Sequence, residues 1–65
     1  MEIDELKALL EAGTERSFGG RFGGRSEGCR GVVVKVGAPA DPNVVWVRSI
    51  GGRIFNWDRR TMSVL

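Results

Sequence analysis

Gly31-Val32-Val33-Val34-Lys35-Val36, Val44-Val45-Trp46-Val47-Arg48 and Arg53-Ile54-Phe55-Asn56-Trp57 are the three runs on which the fold turns. Each is rich in β-branched and aromatic residues and bounded by turn-forming ones, the pattern of short strands. Between the first two lies Gly37-Ala38-Pro39-Ala40-Asp41-Pro42-Asn43, a loop whose prolines cannot donate to a central ladder. Ser49-Ile50-Gly51-Gly52 is a tight turn in which glycine permits positive φ. Asp58-Arg59-Arg60-Thr61 reads as one helical turn capped by the Asp58 carboxylate, and Met62-Ser63-Val64-Leu65 as a terminal strand.

Toward the N-terminus the period changes. Ile3, Leu6, Leu9 and Leu10 recur at three- and four-residue spacing, which predicts an amphipathic helix over roughly residues 2–12. Glu2, Asp4 and Glu5 occupy the first turn, where the helix dipole favours acids, and Gly13 supplies a left-handed stop. So short a helix is unstable alone in water. Its leucine face therefore packs on the chain's own barrel, on a partner or on a second copy. Together these elements predict a mainly β fold with a short N-terminal α-helix. It is either a small SH3-like barrel or a three- to four-strand antiparallel meander.

Between helix and strands lies TERSFGGRFGGRSEGCRG, residues 14–31. Seven of the ten glycines fall from Gly13 to Gly31, and Phe18-Gly19-Gly20-Arg21 is repeated as Phe22-Gly23-Gly24-Arg25. Two readings stand side by side. One resembles an RGG segment, in which Arg16, Arg21, Arg25 and Arg30 track phosphates while Phe18 and Phe22 stack on bases. The other is a turn-rich connector whose phenylalanines tuck into the barrel. The expected organisation is one small domain: a helix over 1–13, a Gly/Arg/Phe-rich connector over 14–29 and a β-barrel over 30–65.

Gly24-Arg25-Ser26-Glu27-Gly28-Cys29-Arg30-Gly31, followed by Val32-Val33-Val34-Lys35-Val36, resembles the later half of the KOW motif. That motif belongs to small SH3-like domains of ribosomal proteins and transcription elongation factors. The resemblance spans about thirteen residues and implies contact with RNA, RNA polymerase or ribosomal partners. The chain departs from the motif where a V-x-V strand would lead into the first glycine, since Gly20-Arg21-Phe22-Gly23 stands there. The glycines also have a reading of their own: they let a loop turn sharply into a strand. The segment lacks the GK[ST] ending of a Walker loop, and a strand follows where a dinucleotide fingerprint needs a helix.

Composition narrows the chemistry. The 65 residues include no His, no Tyr and a single cysteine, Cys29. The commonest general base is therefore missing, and four-ligand zinc sites of Cys and His, like intrachain disulfides, are ruled out. The chain reads as non-enzymatic, with no cofactor, no metal and no small-molecule substrate. Cys29 is expected to be structural, although Arg30 beside it would lower its pKa. One cysteine fits a reducing compartment, with cytoplasm as the default. No apolar run approaches the ~18–20 residues of a membrane span, and the acidic start is unlike a signal peptide.

The net charge of +2 conceals an asymmetry: residues 1–15 carry −4, and residues 16–65 carry +6. Either an acidic appendage accompanies a basic functional face, or the two dock intramolecularly. Strand alternation groups Val32, Val34 and Val36 against Val33 and Lys35. It also predicts an exposed face joining Trp46, Arg48, Arg53, Phe55 and Trp57, extended by Arg59 and Arg60, with at least one tryptophan mostly buried. The leading functional expectation is a binding module for RNA or single-stranded DNA within a ribonucleoprotein, ribosomal or transcription assembly. Arg16, Arg21, Arg25, Arg30, Arg48, Arg53, Arg59 and Arg60 would hold phosphate, with Phe18, Phe22 and Phe55 stacking. The alternative is a protein-interaction or assembly protein: a small accessory subunit, or a phage-type inhibitor or structural protein. It would use Ile3, Leu6 and Leu10 as anchors beside open sheet edges.

Overall fold

The structure, a computed structural model, describes residues 1–22 and 25–65, with the side chains of all of these except Phe22 and Arg25. Gly24, the first glycine of the KOW-like pattern, lies outside the described residues. The chain forms α1 (Ile3–Ala12), β1 (Arg16–Phe22), β2 (Arg25–Val36), β3 (Val44–Ser49), β4 (Ile54–Asp58) and β5 (Ser63–Val64). The strands make one antiparallel sheet in the order β4-β3-β2-β1-β5. This is the mainly β fold with a short N-terminal helix that the strand and helix patterns predict. No helix among the described residues is long and apolar enough to cross a membrane.

β2 is twelve residues long because it belongs to both halves of the sheet. Its first part pairs with β1, ending at Arg16↔Gly31, and its second pairs with β3, beginning at Gly31↔Ser49. Gly31 is thus the pivot at which two ladders meet. It is buried, and a Cβ there would stand 2.1 Å from the Arg48 carbonyl oxygen and 2.8 Å from Ser49 Cα. No side chain fits that gap.

Residues 14–29 are not a connector: most of them form the β1–β2 hairpin, from Arg16↔Gly31 to Phe22↔Arg25. Glycine-rich sequence weakens strand propensity, but pairing and packing override it here. Phe18 alternates onto the inner face and is fully buried. Gly20, also inward, lies beside Trp57, so a Cβ there would meet the indole at 3.6 Å. The hairpin thereby curls over the core toward β4.

The core is Leu6, Phe18, Val33, Val45, Val47, Trp57 and Met62, with Met1, Leu9, Cys29, Val36, Phe55 and Val64 packed around it. Leu6 is the helix's fully buried contribution, while Leu10 is 37 % exposed. The helix face therefore docks on its own sheet. Gly13 ends α1 with φ 64°, its N–H donating to the Leu9 carbonyl at 3.0 Å. The Met1 amino group donates to the carbonyls of Met62, at 3.1 Å, and Arg59, which ties the helix start to the turn before β5. That turn is closed by Thr61 N–H donating to the Asp58 carbonyl at 3.1 Å, and the Asp58 carboxylate caps Arg60 N–H at 2.8 Å as expected.

Two substitutions test this frame. Gly31→Ala is expected to cost about 1–3 kcal/mol or more, since overpacking meets backbone rather than a mobile side chain. Gly51→Ala, whose Cβ would meet nothing nearer than Ser49 Oγ at 3.8 Å, serves as the neutral control. Leu6→Ala is expected to cost about 2–5 kcal/mol. Urea midpoints by circular dichroism read all three.

Candidate functional site

The outward face of β2, β3 and β4 carries the most distinctive surface chemistry. Register fixes which residues share it. Val33, Val47 and Phe55 are consecutive cross-strand partners, as are Val36, Val45 and Trp57 apart from the β2–β3 register shift, and these six line the inner side. Val32, Arg48 and Ile54 form one outward row, and Lys35, Trp46 and Asn56 form the next.

The second row exists because of a β-bulge. The β2–β3 register shifts between Val33 and Lys35, so Val34 and Lys35 together occupy the space of one residue. Both are exposed, whereas Val33 and Val36 turn inward. The simple alternation expected for 32–36 is broken for this reason. The bulge re-aims Lys35 onto the half-buried Trp46, with its ammonium 4.8 Å from the ring centroid. A cation, an indole and a carboxamide thus cross three strands in a line.

The expected aromatic face is corrected on one point. Trp46 and Arg48 lie outward, but Phe55 and Trp57 belong to the opposite side of β4. Trp57 is 3 % exposed and Phe55 is half-buried, their ring centroids 5.8 Å apart. Arg53 precedes β4 and lays its guanidinium over the Phe55 ring at 5.1 Å. Trp57 is the tryptophan that the core was expected to take. Phe18, expected to stack on bases, is fully enclosed and cannot do so.

The arginines do not converge on one site. Arg30 donates to Glu15 at 2.5 Å and to Ser17 at 3.3 Å. Arg60 is forked onto Asp58 at 2.9 and 2.7 Å. Arg59 is a structural tie, donating to the Asn43 carboxamide at 2.9 Å and the Met1 carbonyl at 3.3 Å. Arg16 and Arg21 are exposed on β1, away from Trp46 in strand order. The side chains of Arg25 and Phe22 lie outside the described residues. Arg48 and Arg53, with Lys35, make no ion pair to a described residue. Of the proposed protein anchors, Ile3 is half-buried, Leu10 partly exposed and Leu6 wholly within the core, so Leu6 is not free to meet a partner.

Lys35 and Asn56 are the members of the row that the strand patterns did not single out. Lys35 had a signal, being the one charge within a valine run. Asn56 had none until cross-strand register placed it beside Trp46. Cys29 is half-buried against the core, and burial pushes its thiol up, opposite to the effect expected from Arg30. It is correspondingly unreactive near neutral pH.

Asp58 ends the outward face of β4, and hydrogen bonds from Arg60 hold its carboxyl well below the usual carboxylate range. A depressed pKa stabilises the fold above the unfolded value of about 3.9, and that contribution disappears as pH falls below it. Asp58→Asn is therefore expected to flatten the loss of stability between about pH 4 and pH 2, read as urea midpoint against pH. No protein-family model, curated protein or solved structure matches the chain.

Proposed function

We propose that this chain is a non-enzymatic module that binds single-stranded nucleic acid through the outward face of β2–β4. The observation that carries the reading is the row Lys35–Trp46–Asn56 with Arg48 adjoining it. Trp46 offers a ring on which an unstacked base can lie, and stacking of this kind is worth ~1–3 kcal/mol per base. Lys35 and Arg48 flank the ring, and neither makes an ion pair to a described residue. Glu15 and Asp58 are held by Arg30 and Arg60. The ligand that fits such a face joins planar bases to spaced negative charge.

Arg53, whose guanidinium lies over the inward Phe55 ring, is not part of this row. The resemblance of Gly24–Val36 to part of the KOW motif also points to nucleic acid, toward RNA and a ribosomal or transcription assembly. A protein-binding role for the helix has less support, because its central leucine is consumed by the core.

Trp46→Ala is expected to weaken binding of a short single-stranded oligonucleotide by roughly 5- to 150-fold, which is ~1–3 kcal/mol. Lys35→Ala and Arg48→Ala should each reduce the slope of log affinity against log salt by about 0.7. Fluorescence anisotropy across a salt series measures both. Absence of binding at low salt, or variants that leave affinity and slope unchanged, would overturn the reading.

A further inference from the structure

We infer that Asn56 reads the edge of the base stacked on Trp46 and gives the module a preference for adenine. The inference rests on the nucleic-acid reading above and concerns the same face. Asn56 is the direct cross-strand partner of Trp46, and directly opposed residues on one sheet face bring their Cβ atoms to within ~4.5–5.5 Å. Its carboxamide is exposed, and its side chain makes no hydrogen bond to a described residue. The other outward residues of the two rows are Val32, Arg48, Ile54, Lys35 and Trp46, which are apolar, aromatic or cationic. Asn56 thus supplies the neutral pairing group of this surface.

A carboxamide presents one acceptor and two donors side by side. The adenine Hoogsteen edge offers the complement, the N6 amino donor beside the N7 acceptor, whereas guanine offers two acceptors there. Lys35 and Arg48 supply cations for the phosphates on either side of the base. Lys35 rests on the indole in the free protein, so an incoming base takes its place while the ammonium moves to phosphate. The ring then fixes the plane of the base, and Asn56 meets its edge.

The test uses the full chain and fluorescently labelled single-stranded oligomers of about ten nucleotides, all-adenine, all-thymine and all-cytosine, in DNA and, with uracil for thymine, in RNA. Wild type is expected to bind adenine oligomers about tenfold more tightly than either pyrimidine oligomer. Purines also stack more strongly, so the deciding comparison is the adenine oligomer with 7-deazaadenine, which keeps the ring and loses the N7 acceptor. That change should remove most of the preference in wild type and alter nothing in Asn56→Ala. Asn56→Gln should restore part of the discrimination, and circular dichroism checks that the variants fold. Equal binding of all oligomers, a 7-deazaadenine effect that survives Asn56→Ala, or indifference of wild type to 7-deazaadenine overturns the role of Asn56 and leaves the nucleic-acid reading standing. Failure of every oligomer to bind at low salt overturns both.

Discussion

Everything in this sheet depends on how closely two strands approach at Gly31. With no Cβ, β2 lies against the Arg48 carbonyl at a separation that any other residue would obstruct. The close approach lets one strand serve two ladders and bend between them, so that β1 and its hairpin curl toward β4 and enclose Phe18 and Trp57. A flat sheet of the same strands would leave those rings on an open surface. In so short a chain the curl substitutes for a second layer, and α1, through Leu6, closes what remains open.

The same long strand sets the outward face. A bulge after Val33 keeps Val36 in the core while presenting both Val34 and Lys35 to the outside. Without the extra residue, Lys35 would fall on the opposite parity and Trp46 would face a valine. The bulge thus separates two roles that alternation alone would mix. Inward positions of β2–β4 are given to aliphatic and aromatic packing. Outward positions are left for a cation, a ring and an amide.

The helix was readable because three local signals agree: leucine spacing, acids in the first turn and Gly13 at the stop. The three valine- and aromatic-rich strands and the turn residues between them were equally plain. β1 was not, since Arg16–Phe22 has no β-branched residue and two of its seven positions are glycine. Its strand character comes from pairing with β2 and from burying Phe18, which are tertiary facts. Alternation counted from Arg53 gives β4 the wrong phase, placing Phe55 and Trp57 outward. Arg53 sits in the turn, where alternation does not govern it, and the bond from Ser49 N–H to the Arg53 carbonyl sets Arg48 opposite Ile54 instead. The candidate site needed both the bulge and this register, neither of which composition or local pattern reveals.

Counting charge also gives a different molecule from placing it. A strand of nucleic acid held by all eight arginines would lose about 2,000-fold in affinity between 50 and 200 mM salt, at a slope near −0.7 per phosphate. Two phosphate contacts, which Lys35 and Arg48 can supply, lose only about sevenfold over the same range. On the proposed reading the second case applies, because Arg30, Arg59 and Arg60 are engaged within the fold and Arg16 and Arg21 lie on β1. Under that proposal, so small an electrostatic contribution would leave the aromatic ring and its neighbouring amide as the main sources of affinity on this face. Sequence preference would follow from that proposal, since stacking and edge pairing depend on the base whereas phosphate contacts do not.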